Sequence, residues 1–150
     1  MNIRNLKSDE KVPMKLLLEA DPSRKMVKEY VDRGQGFIAE IGKEIIGAFV
    51  LLPTRPGTVE IMNIAVAEKN RGRGIGKQLI EEAIKISKKR KYKTIEVGTG
   101  NSSVGQLVLY QKCGFRITGI DSDFFITHYD EEIYENGIQC RDMIRLSQNL

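Results

Sequence analysis

Glu60-Ile61-Met62-Asn63-Ile64-Ala65-Val66, a link of four residues, and then Arg71-Gly72-Arg73-Gly74-Ile75-Gly76-Lys77 form the stretch on which the reading of this chain turns. The first half is apolar and partly β-branched, so Thr58 to Val66 reads as a strand. The second half opens the clearest helix, Ile75 to Lys91. There Leu79, Ile80, Ala83, Ile84 and Ser87 make a narrow inner face, with Lys77, Glu81, Lys85, Lys88 and Lys89 outside. Glycines between a strand and a helix let successive backbone N–H groups turn toward one concavity, and the helix N-terminus adds partial positive charge. Such a loop suits a phosphate or pyrophosphate. Arg71, Arg73 and Lys77 would add charge-assisted hydrogen bonds.

Two other phosphate-binding loops fit poorly. A Walker loop needs Ser or Thr after Gly-Lys, and Gly76-Lys77 is followed by Gln78. A dinucleotide fingerprint wants its glycines near the first strand with a different spacing. Upstream, Met1 to Leu6 reads as a short edge strand, Val12 to Ala20 as a helix, and Ser23 as the cap of a second helix whose face is Met26, Val27, Tyr30 and Val31. Gly34 and Gly36 end it. Phe37 to Ile41, a Gly42-Lys43 turn and Ile45 to Leu52 form a hairpin whose second strand is apolar throughout and so belongs mid-sheet. Pro53 to Gly57 carries breakers. Downstream, Thr94 to Gly98 gives βαβ order with a parallel pair. Asn101 to Lys112 reads as a shorter helix closed by Gly114, with strands near Phe115 to Thr127 and Gln139 to Leu146. The expected fold is α/β (α+β): a three-layer domain with a mixed central sheet of about six to seven strands and helices on both faces.

At 150 residues, with 41% apolar and 29% charged residues, the chain fits one domain spanning 1–150. Cys113 and Cys140 are far apart and outside any CxxC pattern, and with a single histidine no metal site is expected. The opening Met1-Asn2-Ile3-Arg4 carries no apolar signal core, and the longest apolar stretch, Ile45 to Leu52, is too short for a bilayer. A cytoplasmic protein without a membrane partner is expected. Charge is uneven: from Lys69 to Lys93 there are ten Lys or Arg and two acids, and from Asp121 to Glu135 six acids and no Lys or Arg. One polyanionic and one cationic ligand would match that asymmetry, as would two solvated faces. Lys88-Lys89-Arg90-Lys91 ends a helix, where cations favour the dipole, and lacks interleaved aromatics, so nucleic acid is not an expected partner.

Arg71-x-x-Gly74-x-Gly76 resembles the Arg/Gln-x-x-Gly-x-Gly/Ala signature of the GNAT superfamily of N-acetyltransferases. Glu60 to Val66 resembles that family's strand before the loop, and Asn101 with Tyr110-x-Lys112-x-Gly114-Phe115 its late helix. The likeness spans nearly the whole chain; Ala67-Glu68, where many members carry proline, is a small departure at a surface turn. The resemblance implies a V-shaped cleft between the fourth and fifth strands, in which pantetheine lies like an extra strand. Ile64, Ala65 and Val66 would line it, Arg71, Gly72, Arg73, Gly74, Ile75, Gly76 and Lys77 would hold the pyrophosphate, and Asn101, Tyr110 and Lys112 would complete the acetyl-CoA site. A homodimer, common in the family, would use Phe124 to Tyr134 or the last strand.

The implied activity is direct transfer of acetyl from acetyl-CoA to a primary amine on a small molecule or peptide; the other reading is a CoA-sensing module without turnover. Amine acetylation needs a neutral amine, a donor for charge developing on the carbonyl oxygen and a proton for the departing thiolate. By resemblance Tyr110 is the acid and the Ile64 amide the oxygen donor. The base is Glu60, which matches the glutamate of histone-acetylating members, or Glu96, which matches that of members acting on protein N-termini, or a water relay; either glutamate is also an ordinary solvent-facing strand residue. Phe124, Phe125, His128 and Tyr129 are the expected acceptor-binding residues, beside the acidic run. Cys113 has no histidine nearby and reads as a buried helix-end thiol.

Overall fold

A computed structural model describes all residues from Met1 to Leu150. The chain order is β1 (Asn2–Asn5), α1 (Met14–Ala20), α2 (Arg24–Arg33), β2 (Gln35–Ile41), β3 (Glu44–Arg55), β4 (Thr58–Val66), a 3-10 turn (Glu68–Asn70), α3 (Ile75–Lys89), β5 (Thr94–Gly100), α4 (Val104–Lys112), β6 (Arg116–Asp121), α5 (Phe124–His128), β7 (Tyr134–Glu135), β8 (Ile138–Gln139) and β9 (Met143–Asn149). Seven strands form one sheet in the order β1-β2-β3-β4-β5-β9-β6, and β7 with β8 makes a separate hairpin. Only β4 and β5 run parallel within it; every other neighbour is antiparallel.

The apolar run expected mid-sheet lies there. β3 is flanked by β2 and β4, and its alternate side chains feed two cores, because successive Cβ atoms point to opposite faces. Phe49 and Leu51 join Leu79, Ile80 and Ala83 of α3 and Tyr110 of α4 on one face; Ala48, Val50 and Leu52 join Leu17 of α1 and Val27 and Tyr30 of α2 on the other. The sheet is thus the middle of three layers, as its continuous apolar sequence requires. Phe37 stacks on Phe49 at 4.8 Å between ring centroids. Burying one such ring stabilises by about 1.5–3 kcal/mol. The Ser23 hydroxyl accepts from the Met26 N–H at 3.2 Å, capping α2 as its sequence predicts.

One irregularity in β4 creates the site. Val50 pairs with Asn63 but Leu51 with Ile61, so Met62 is an extra residue, a β-bulge. Before it, Val59 and Ile61 face α3; after it, Ile64 and Val66 pack on that core, while Asn63 has turned to the α1 side. The parallel ladder with β5 also stops here, its last pair being Ile61 with Val97. β4 and β5 diverge beyond that point and leave the cleft that the resemblance implied.

Several boundaries differ from those read in the sequence: β3 continues through Pro53 to Arg55 as it nears the edge of its pairing with β4, and the strand expected from Gln139 to Leu146 is divided into β8 and β9. The strand expected from Phe115 to Thr127 ends at Asp121, and Phe124 to His128 forms the short α5 instead, because Asp123 takes a left-handed conformation (φ 58°) that breaks extension. α4 starts at Val104, leaving Asn101 in the preceding loop. α3 stops at Lys89 because Lys91 is also left-handed (φ 69°). No helix is long and apolar enough to cross a membrane.

Candidate active site

Beyond Met62, the backbone groups of β4 that turn away from β3 have no strand opposite them. Two adjoining cavities fill the gap. The outer one, about 510 Å³, is bounded by Ile64, Ala65, Val66 and the loop from Asn70 to Lys77. The inner one, about 400 Å³, lies between the α1–α2 turn, Met62 to Ile64, Gly98 to Gly100 of β5, and Tyr110. Glu19, Ala20, Ile64, Gln106 and Glu135 border both, so they form one passage.

The glycine loop presents a row of backbone donors without backbone partners. Gly72 and Gly74 both have φ 77°, which an L side chain adopts only at a cost. The N–H groups of Gly72 through Lys77 find no backbone acceptor, and helical pairing begins only with Gln78 N–H to the Gly74 carbonyl. Six consecutive donors at a helix start favour a pyrophosphate. The cradle thus fits coenzyme A: free donors for its phosphates and an unpaired strand edge for its amides. Arg71, expected to hold phosphate, borders the outer cavity; its Nε donates to the Val66 carbonyl at 3.0 Å and its guanidinium pairs with Glu19 at 3.2 Å. It braces the loop. Lys77 and Gly76 border the outer cavity, whereas Arg73 and Lys112 lie on the surface outside its lining. Asn101 is also elsewhere: its Oδ1 accepts from the N–H groups of Arg141 and Asp142 and its Nδ2 donates to the Gln139 carbonyl. That side chain holds the β8–β9 connection.

Tyr110 sits at the inner end of the passage, 3% exposed and edge-on to Phe115 at 5.9 Å. Its hydroxyl makes no hydrogen bond within the chain. Burial pushes its pKa well above the ordinary phenol value, with the nearby Cys113 adding to the rise. The phenol therefore keeps its proton at neutral pH.

Glu60 and Glu96 stand opposite each other on the parallel pair. Glu60 is the more buried, and burial raises its pKa; Arg145, 3.3 Å away, lowers it and Glu96 raises it again. Glu96 pairs with Arg55 at 2.7 Å. Both carboxylates lie outside the lining of the inner cavity, with Glu60 two residues before Met62, which lines it.

Of the expected acceptor residues, Phe125 and Tyr129 line the inner cavity, while Phe124 and His128 do not. His128 is exposed and lies tilted against Phe124, with ring centroids 4.7 Å apart. The acidic run is also not the wall its charge implied. Asp121 pairs with Arg145 and Asp123 with Arg141, and only Glu135 borders the passage. The sequence reading missed Asp21, Asn63 and Tyr30, which meet at the inner cavity's α1 side. Asn63 Nδ2 donates to the Leu17 carbonyl at 3.0 Å and to the Tyr30 hydroxyl at 2.8 Å; Tyr30 donates to Asp21 at 2.9 Å and Tyr129 to the same carboxylate at 2.8 Å. A signal was present: Asn63 is the one amide in an otherwise apolar Ile61-to-Val66 run.

A splayed parallel pair, a bulge and an anion-binding loop define an acyl-CoA-binding fold of the acetyltransferase type, and residues 3–115 match the model of the Acetyltransferase (GNAT) family. The chain belongs to that family and is an N-acetyltransferase. It is 61% identical over 135 residues to the N-acetyltransferase YvbK of Bacillus subtilis, covering 90% of this chain and 87% of that one. A GNAT acetyltransferase from Elizabethkingia anophelis with acetyl-CoA bound superposes at TM-score 0.98, with 48% identity and coverage of 99% and 97% of the two chains. A Bacillus subtilis acetyltransferase in complex with CoA does so at 0.93, with 56% identity and the same coverages.

Proposed function

We propose that the chain transfers acetyl directly from acetyl-CoA to the primary amine of a small cationic molecule, without an acetyl-enzyme. The observation that carries this reading is the single passage leading from six free loop N–H groups to the buried, unpartnered Tyr110 hydroxyl. Acetyl-CoA supplies an activated thioester. Gly72 to Lys77 hold the pyrophosphate, and the free edge of Ile64 to Val66 aligns the pantetheine amides.

With the arm so placed, the Ile64 N–H donates to the acetyl oxygen as charge develops there. Tyr110 donates its proton to the leaving sulfur, and burial keeps the phenol protonated until then. Glu60 takes the proton from the incoming ammonium through water, since its carboxylate stands outside the cavity lining; its raised pKa brings it nearer the operating pH. The inner cavity is bordered by carboxylates and aromatics, which supports a cationic acceptor over an anionic one.

Calorimetry with acetyl-CoA, followed by free-thiol release against a panel of amines, tests this reading. Binding with amine-dependent thiol release is expected. Binding with no release from any amine would instead favour a sensor.

A further inference from the structure

Three carboxylates border the passage: Glu19, Asp21 and Glu135. Glu19 pairs with Arg71 at 3.2 Å at the protein surface. Glu135 accepts only from the Ser103 hydroxyl, and Asp21 only from two tyrosine hydroxyls and the Ser23 N–H. Asp21 is part-buried, lines the inner cavity and has no cationic partner in the chain. Hydrogen bonds from neutral donors hold a carboxylate in place but leave its charge uncancelled.

An independent feature marks the same cavity. Asn63 is 5% exposed, and its Oδ1 has no hydrogen-bond partner although the atom is out of solvent. Both Nδ2 hydrogens are spent on Leu17 and Tyr30, which fixes the amide orientation and leaves the oxygen without a donor, in a residue that lines the cavity. A buried acceptor without a donor costs roughly 1–3 kcal/mol, so such an atom points to a ligand N–H. Asn63 also immediately precedes Ile64, whose amide is the proposed oxygen donor.

We infer that Asp21 determines acceptor specificity: the acceptor is a small primary amine carrying a second, cationic nitrogen. Asn63 Oδ1 accepts an N–H of the attacking amine beside the thioester, and Asp21 holds the cationic end. The Tyr30 hydroxyl bridges the two residues by hydrogen bonds of 2.8 and 2.9 Å, so the two ligand nitrogens lie a short aliphatic chain apart. Tyr30 and Tyr129 are positioning residues that aim the carboxylate. This inference rests on the acetyltransferase reading.

The test compares kcat/KM for butylamine and for its diamine counterpart, putrescine, at saturating acetyl-CoA, with acetyl-CoA affinity measured separately by calorimetry. The diamine is expected to be preferred by about tenfold or more at low salt, the preference shrinking as ionic strength rises. In Asp21→Asn the preference falls to within about threefold, chiefly through KM, whereas Tyr129→Phe, which keeps the carboxylate, retains it. Parity of the two amines in the wild-type protein, no turnover of the diamine, or an undiminished preference in Asp21→Asn overturns the inference. Should Asp21→Asn not fold, the wild-type ratio and its salt dependence decide the matter alone. Failure of acetyl-CoA to bind would instead remove the acetyltransferase reading on which all this stands.

Discussion

The Tyr129 hydroxyl donates to the Asp21 carboxylate at 2.8 Å, joining residues 108 apart in the chain. That bond closes the inner cavity between the α1–α2 turn and the segment after α5. Its loss in Tyr129→Phe is expected to cost about 1 kcal/mol of stability. The KM values of butylamine and putrescine should rise alike, by a few-fold at most, while acetyl-CoA affinity holds; steady-state kinetics with calorimetry on the same sample checks both.

Tyr110→Phe separates chemistry from structure. The hydroxyl has no partner within the chain, so removing it leaves thermal stability within about 1 kcal/mol of the wild type. Turnover is expected to fall by about 10²- to 10⁴-fold with acetyl-CoA affinity little changed. A mutant with full activity would show that another group protonates the thiolate.

The acidic limb of the rate profile belongs to Glu60. A base works only when deprotonated, and burial raises this carboxyl's pKa above its usual range. Activity should therefore decline at a higher pH, on acidification, than an ordinary glutamate would dictate, and Glu60→Gln should remove that limb along with most of the rate. The stability sign is opposite: the folded state holds this proton more tightly than the unfolded chain. The contribution is present below the unfolded pKa and lost as pH rises through the folded one. A pH–rate profile of wild type and mutant decides whether Glu60, rather than Glu96, is the base.

Gly74→Ala probes the loop alone. Nothing lies within 4 Å of the added Cβ, so the cost is purely conformational, about 1–2 kcal/mol for a left-handed φ of 77°. If the loop relieves that strain by turning its N–H groups outward, acetyl-CoA affinity should drop by at least tenfold while the apo protein remains folded. Calorimetry and a melting curve distinguish the two effects.

At the far edge of the sheet, Arg4 binds Glu10 through two hydrogen bonds of 2.8 and 2.9 Å and Glu40 through a third. The guanidinium lowers the Glu10 pKa to about 2, with the Lys7 N–H helping. A depressed carboxylate contributes stability above its unfolded pKa and loses it as pH falls toward the folded value. Acid unfolding of Glu10→Gln should thus show a shallower pH dependence between about 4.5 and 2 than the wild type.

The arrangement of layers was legible because local chemistry writes it. The apolar run of β3 called for cover on both faces, the 3.6-residue pattern of Leu79, Ile80 and Ala83 called for a helix with one buried stripe, and glycines after a strand called for an anion nest. The C-terminal third was harder to read. Phe115 to Ile120 and Phe124 to Thr127 both have strand-like composition, and the Asp121-Ser122-Asp123 run between them, with Asp123 left-handed and held by Arg141 and Asp142, divides the segment into a strand and a helix.

By itself, then, the order of residues determined a strand–loop–helix suited to a phosphate and the two buried faces of the sheet, while Tyr110 as a candidate acid came from the family resemblance. Tertiary structure alone decided which charges remain available. Arg71 pairs with Glu19, Asp121 with Arg145 and Asp123 with Arg141, so two of the six acids of the acidic run are matched, while Asp21, in an ordinary-looking Asp-Pro-Ser turn, has no cationic partner at the cavity. The reason is physical: helix and strand preferences act over a few residues, whereas the charge state and freedom of a side chain depend on neighbours that only folding brings within a few ångströms.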